Sequence, residues 1–538
     1  MLIENNSKYL LKKTRAKAKM IEYSIPEDAH IEVEKEVEDL FLLTVSVIGN
    51  VSAEIVRNPD DIDQIIFDNK SSLEFAAKYF DSYFESKLDE ASDDFYLLFG
   101  ATAYYLCDYI GSSKVLVDRI DVSSIDMNVS RIDKYLVCLL KDCFHTQIIS
   151  GDNEFIIDCL ECLKQDLNTF WEKGQLPELK HITRLRSFIY GNGSDLQLLL
   201  NDIFCAIYLL KIHNSAVQLL PKYMQLDSNE LSSLLYYKDS LKELWPSQRK
   251  LGVEGVFAGK SAVIQMPTSS GKTKSISMII SSAFISNRTR LAVVIAPFRA
   301  LCREISNDLA RDFIYDKTIH VDELSDVFQK EKIPMDTYDS EQKTVLVATP
   351  EKFMYMMRQR SDLAKQIGVV VFDEGHLFDE PERGVVYELL MSTIKTFIGD
   401  ECQKVLVSAI IPNAAQISDW LNKEYGVVIS DNTIKSTQKT IAMTDWQGYG
   451  TEKYGYLYFL NPEQPDEEEF YVPRVISIIE LNKFKKERKR RMFPDVDFKK
   501  RKVSYNDIAI YYGLTLCHNG GVGIFCGKKI LSIIFYHE

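Results

Sequence analysis

The sequence holds no apolar run of the roughly 20 residues that a membrane-spanning helix requires. Met1-Leu2-Ile3-Glu4 opens no signal peptide. Both absences point to a chain with no membrane partner, expected in the cytoplasm, or in the nucleus of a eukaryote. An excess of positive charge is missing too. There are 64 Lys and Arg against 78 Asp and Glu, a net charge of −14. Nucleic acid cannot be held by the surface as a whole, so any such binding needs a local basic patch. The ten cysteines, at 107, 138, 143, 159, 162, 205, 302, 402, 517 and 526, show no framework spacing. Cys159 and Cys162 form a lone CxxC within a helical pattern, with no second pair at zinc spacing. Reduced, structural thiols are the expectation. No fixed period repeats, which excludes a solenoid. What remains is a 538-residue chain, 46% hydrophobic and 26% charged, ordinary for a globular protein of about three domains.

Up to about residue 235 the pattern is helical. Val33, Val37, Leu40, Phe41, Val45 and Ile48 fall at helix spacing, as do Phe75, Ala76, Tyr79, Phe80 and Tyr83. Aromatic residues in that pattern are expected in the core. Near Leu244 the texture changes. Short β-rich runs then alternate with helical stretches: Ala262–Ile264, Leu291–Ile295, Thr344–Ala348, Val369–Phe372, Lys404–Val407 and Val427–Ile429. Such alternation predicts a parallel sheet with helices on both faces, an α/β fold whose ligands bind beyond the strand C-termini.

Two motifs stand at those positions. The run Ala262–Ile264 leads into Met266-Pro267-Thr268-Ser269-Ser270-Gly271-Lys272-Thr273, and a helical pattern follows. Strand, small-residue loop and helix are the context of a phosphate-binding loop. Backbone N–H groups there point at an anion, Lys272 can neutralise the β/γ-phosphates, and the Thr273 hydroxyl can ligate magnesium. The general pattern has Gly where this chain has Met266. The second motif is Val369 to His376, VVVFDEGH, in which an apolar strand delivers Asp373 and Glu374 to the sheet edge. Asp373 can hold magnesium, and Glu374 can orient and deprotonate an attacking water. The pair lies 101 residues after Lys272, and the two motifs together point to nucleoside triphosphate hydrolysis.

Further motifs carry a family resemblance. DEGH resembles the DEAD/DEAH boxes of superfamily-two helicases. Leu244-Trp245-Pro246-Ser247-Gln248 looks like their Q motif, Pro297-Phe298-Arg299-Ala300-Leu301 like motif Ia, and Ala348-Thr349-Pro350-Glu351-Lys352 like motif Ib. Ser408-Ala409-Ile410 stands where motif III belongs. Asp379-Glu380-Pro381-Glu382-Arg383-Gly384 with Glu388, and Ser408 to Ala414 with Trp420-Leu421, resemble stretches of the superkiller-type branch. The resemblance covers about residues 241–460. It implies ATP and Mg2+ as cofactors and single-stranded DNA or RNA as partner. An effector or nuclease subunit is a further partner, because relatives occur in antiphage systems beside one; others act in DNA repair or RNA decay. Residue by residue, Gln248 would contact adenine and Pro267 to Thr273 would cradle the phosphates. Asp373 and Glu374 would bind metal and activate water. His376 and Ser408 would couple the nucleotide to the nucleic acid, and Arg299, Thr349 and Pro350 would lie along its backbone. Arg299 as a surface charge and Thr349-Pro350 as a strand-ending turn stay open. Ile410 departs from the usual Thr and cannot hydrogen-bond.

The resemblance implies a RecA-like P-loop sheet at 241–435, preceded by an all-α domain at 1–240 that resembles nothing nameable. A β-rich linker and charged insert would fill 436–502, with Thr440–Thr444 and Tyr454–Leu460 as strands. Within it Lys483 to Lys502 holds eleven Lys or Arg against three Asp or Glu, a candidate nucleic-acid patch or a solvated linker. Asn519 to Lys529 resembles the opening of a second RecA-like lobe, so 503–538 is expected to be its incomplete start. Two functions compete on this evidence. One is an ATP-dependent helicase or translocase whose hydrolysis is weak without the rest of that lobe. The other is an ATP-binding scaffold that docks a partner without unwinding.

Overall fold

The computed structural model describes residues 5–22, 30–31, 37–86, 93–144, 153–236, 241–266, 270–314, 316–324, 342–359, 364–375, 384–409, 411, 413–422, 426–430, 439–447, 454–460, 468–472, 522–526 and 531–536. The chain divides into two compact units. One comprises Met1–Cys162, Leu179–Leu210 and Thr437–Glu538; the other comprises Leu163–Glu178 and Lys211–Ser436.

The first unit opens with α1 (Asn5–Glu22), α2 (Val37–Arg57), α3 (Ile62–Ser86), α4 (Asp93–Leu106), α5 (Ile110–Val117) and α6 (Ile132–Leu140). Then come α7 (Glu154–Lys173), α8 (Lys180–Asn192) and α9 (Asp195–His213), with residues of α7 and α9 in both units. Helix α3 shows why these segments are helical. Ile62, Ile65, Leu73, Ala76 and Phe80 are buried along one stripe, while Phe67 on the other side is exposed. Tyr79 and Phe80 are core residues, with their rings 5.4 Å apart. Two helical windows, Leu40–Arg57 and Asp195–His213, are long and apolar enough to cross a membrane by length and composition. Neither is an uninterrupted apolar run: Ser46, Asn50 and Glu54 interrupt the first, and Asp202 and Lys211 the second. The second window is 72% buried inside the protein, as suits a core helix.

The first unit also holds an antiparallel sheet. Its strands are β8 (Lys439–Gln447), β9 (Tyr454–Leu460), β10 (Glu468–Val472), β11 (Val522–Cys526) and β12 (Leu531–Tyr536), in the order β10-β9-β8-β12-β11. Both strands expected near 440 and 454 are present. The strand expected to open a second lobe, 522–526, runs antiparallel to β12. The basic segment 483–502 lies outside the described residues.

The second unit adds α10 (Ala216–Met224), α11 (Ser232–Leu235) and α12 (Pro246–Val253) ahead of its sheet. The strands are β1 (Ser261–Gln265), β2 (Leu291–Ile295), β3 (Ile319–Glu323), β4 (Lys343–Ala348), β5 (Ile367–Phe372), β6 (Gln403–Ser408) and β7 (Gly426–Ile429). They form one sheet in the order β3-β4-β2-β5-β6-β1-β7, parallel throughout. Helices α13 (Lys272–Ile285), α14 (Arg299–Asp312), α15 (Pro350–Gln359), α16 (Gly384–Phe397) and α17 (Ala414–Asn422) connect them. Alternate residues enter two different cores. Ala262, Ile264, Val294, Val371 and Val405 pack with Ile276 and Ile280 of α13 and Leu309 of α14. Val263, Val293, Ile295, Val370 and Leu406 pack with Phe353 of α15, Leu390 of α16 and Leu421 of α17. A strand covered on both faces has no polar side to show, which is why these runs are continuously apolar. Their only route to solvent and chemistry is through their ends.

Candidate functional site

Strands β5, β6 and β1 are neighbours, and their C-terminal ends lie side by side. Phe372 is level with Leu406, and Gln265 with Ser408. The Met266 N–H donates to the Ser408 carbonyl at 2.8 Å, which joins the loop after β1 to the end of β6. The Asp373 N–H donates to the carbonyl of Ile295 at 2.9 Å, tying the residue after β5 to the end of β2. Motifs more than a hundred residues apart in sequence therefore share one edge of the sheet.

Lys272 is the first residue of α13, and Gly271 caps that helix with φ 82°, in the left-handed region. A Cβ at 271 would also stand 3.0 Å from Gln248 Nε2, so only glycine suits both the backbone and its neighbour. Lys272 Nζ lies 3.6 Å from Glu374 Oε1, with the two side chains 13% and 26% exposed. An ammonium and a carboxylate thus face each other at the rim, largely shielded from water. Thr273 follows in the first turn of α13 and is partly exposed.

Glu374 itself has φ 53°, unusual for a residue with a side chain and a form of strain that functional positions retain. Its neighbour Gly375 is held tightly: a Cβ there would stand 2.7 Å from Leu406 Cδ1 of β6. Asp373 is buried, and the Tyr387 hydroxyl of α16 donates to its carbonyl at 3.3 Å. Tyr387 is 14 residues away, beside Glu388 in the stretch that resembles the superkiller-type branch, but the resemblance gave the tyrosine itself no role.

Gln248 is buried in α12, where its Oε1 accepts from the Trp245 N–H at 2.8 Å. The Ser247 hydroxyl donates to the Ser270 carbonyl at 2.7 Å. Helix α12 therefore meets the loop before Lys272 through Gln248 against Gly271 and Ser247 against Ser270. Ser247 was passed over in sequence, although its place beside Gln248 was the available signal. Ser270 and Ser408 are fully buried.

The remaining candidates lie along the same edge but on the other half of the sheet. Arg299 opens α14 beyond β2 and is exposed. Thr349 follows β4, which pairs with β2, and its carbonyl accepts the Phe353 N–H at 3.0 Å. Pro350 is buried as the first residue of α15. Pro267, Thr268, Ser269, His376 and Ile410 lie outside the described residues. Among the described residues no group of three or more His, Cys, Asp or Glu side chains could hold a metal ion. A cavity of about 440 Å³ lies in the other unit, lined in part by Arg57, Arg186 and Tyr190, and shares no residue with these motifs.

Known proteins share part of this sequence. Residues 246–417 match the family described as DEAD/DEAH box helicase. The Hachiman protein HamB of Bacillus cereus is 32% identical over 206 residues, which are 37% of this chain and 18% of that protein. The ATP-dependent DNA helicase Hel308 of Thermococcus kodakarensis is 28% identical over 191 residues, 36% of this chain and 16% of that one. A solved structure of S. cerevisiae Dbp5 with Gle1 and IP6 aligns with a TM-score of 0.31 and 19% identity, over 39% of this chain and 51% of that chain. Residues 246–417 thus match a superfamily-two helicase domain of the DEAD/DEAH-box kind. The chain aligns with less than a fifth of the length of these two sequence relatives.

Proposed function

We propose that the chain is part of an ATP-dependent helicase or translocase of the superkiller-type branch, in which ATP hydrolysis drives movement along single-stranded DNA or RNA. The observation that carries this is the convergence of the Lys272 loop, Asp373-Glu374 and Ser408 on three adjacent strand ends, with Lys272 and Glu374 only 3.6 Å apart. In this reading Gln248 contacts adenine, and Pro267 to Thr273 form the phosphate loop, in which Thr268 to Thr273 offer backbone N–H groups and Pro267, which has none, shapes the turn into it. Lys272 neutralises phosphate charge and leaves its contact with Glu374 when phosphate enters. Glu374 is then released to take a proton from the attacking water.

The donor set suits Mg2+. The Thr273 hydroxyl and the Asp373 carboxylate are hard oxygen ligands, and this ion commonly uses one or two of these with water and phosphate oxygens. Bound there, it would supply charge neutralisation on the transferring phosphoryl group. Ser408 and His376 would relay nucleotide state towards the half of the edge that carries Arg299, Thr349 and Pro350, along which a nucleic-acid backbone would lie. The relatives named as DNA helicases favour DNA over RNA as the strand. The domain boundaries at 240, 435 and 502, a cytoplasmic location and an effector or nuclease partner belong to the same proposal.

The test is ATP turnover with matched single-stranded DNA and RNA. Stimulation, stronger with DNA, is expected. ATP binding without stimulation by either strand would overturn the motor reading and leave an ATP-binding scaffold. Neutralising Lys485, Lys486, Arg488 and Arg491 is expected to flatten the salt dependence of strand binding.

A further inference from the structure

The approach to Gln248 is anchored residue by residue, and the anchors come from helices that precede the sheet. Residues 242–244 lie extended beside 214–216. The Ala216 N–H donates to the Lys242 carbonyl at 3.0 Å, and the Leu244 N–H to the Asn214 carbonyl at 2.9 Å. Ser215 and Glu243 form an antiparallel bridge between them. The Lys242 ammonium sits 4.5 Å from the centre of the Trp171 ring. At the middle of this strap Lys211 Nζ lies 2.9 Å from Glu243 Oε2, with the two side chains 2% and 6% exposed.

A buried ion pair is a poor way to gain stability. Desolvating both charges offsets much of their attraction, and apolar replacements are often neutral or better. What such a pair does supply is direction: ammonium and carboxylate meet in one register or leave a buried charge unpaired. Here the register leads straight to the nucleotide edge. Two residues after Glu243, the Trp245 N–H donates to Gln248 Oε1 at 2.8 Å. Ser247 then donates to the Ser270 carbonyl at 2.7 Å, and Gln248 Nε2 abuts Gly271. Leu244, Ser247 and Gln248 are all buried, so the segment has no slack in which a displaced strap could be absorbed. All these residues belong to one compact unit.

We propose that Lys211 and Glu243 are a positioning pair for the nucleotide site. They set the register of residues 242–245, and through it the placement of Gln248 and the selectivity of the site for adenine. Neither residue touches the nucleotide. The proposal rests on the reading of Gln248 and residues 270–273 as the ATP site.

The experiment compares ATP and GTP as competitors of a fluorescent ATP analogue on the full chain, with thermal unfolding of each variant recorded alongside. Gln248→Ala is expected to reduce the preference for ATP over GTP by about three- to tenfold, the worth of one hydrogen bond. Glu243→Gln is expected to reduce it comparably. The double variant Lys211→Met with Glu243→Leu leaves no buried charge unpaired; it is expected to fold and still lose preference. A folded double variant with the parental preference, when Gln248→Ala has lost it, would overturn the proposal. So would a double variant that fails to fold, since the pair would then serve stability. If Gln248→Ala itself leaves the preference unchanged, the assignment of Gln248 to adenine fails, and the role of the pair falls with it.

Discussion

In the helical unit large side chains are spent on one another. Phe41, Phe80, Phe95 and Phe99 pack ring to ring at 4.6 to 6.5 Å, and Phe144, Phe204 and Tyr208 form a second group at 6.2 to 6.4 Å. In the sheet unit the strands are covered on both faces, and polar side chains collect where the strands stop. Packing in a helical assembly is spread over every stripe and leaves no common edge. A parallel sheet confines its exposed chemistry to one line of strand ends, so residues from distant parts of the chain meet there without any special device. The candidate site residues therefore gather in the second unit.

This contrast can be broken by mutating the helical core. Phe204 is fully buried, and Phe204→Ala is expected to cost about 3–5 kcal/mol in chemical unfolding. Nucleotide affinity per folded molecule should not change. A folded Phe204→Ala protein that had lost nucleotide binding would show that the helical core shapes the site, and the contrast would fall.

A smaller effect bears on what the two units share. Burial pushes the thiols of Cys205 in the helical unit and of Cys302 and Cys402 in the sheet unit upward, Cys302 to about 11 and Cys402 to about 12. A folded-state value above the ordinary 9.0 means that the protonated thiol favours the folded state. That contribution is complete below the ordinary value and is lost as the pH climbs through the raised one. The melting temperature is expected to fall between about pH 9 and about pH 11, and Cys302→Ala should fall less steeply than the parent. Parallel slopes would mean that the Cys302 thiol ionises normally.

The sheet was legible because burial on both faces writes itself as continuous apolar runs. Leu291–Ile295 coincides with β2, and Val369–Phe372 falls within β5 (Ile367–Phe372). Strand β3 was not legible. Ile319-His320-Val321-Asp322-Glu323 is an edge strand with no fully buried residue, so its sequence carries no apolar run. The motifs at the C-terminal edge of the sheet could be picked out from residue types and order. The devices that hold them were not. The left-handed backbone of Glu374, the Tyr387 hydroxyl on Asp373 and the ion pair between Lys211 and Glu243 all depend on contacts across the fold, and no local pattern encodes them. The same holds for residues 163–178 and 211–235, whose helical texture gave no sign that they share a unit with the sheet.

The most direct test of the central claim, that Lys272 and Glu374 face each other as the two halves of a hydrolytic centre, is ATP turnover and ATP binding measured together on Glu374→Gln. Turnover is expected to fall by about 10² to 10⁴, the usual range for a general base, while ATP binding is retained because Lys272 and its loop are intact. Unchanged turnover in a variant that still binds ATP would contradict it.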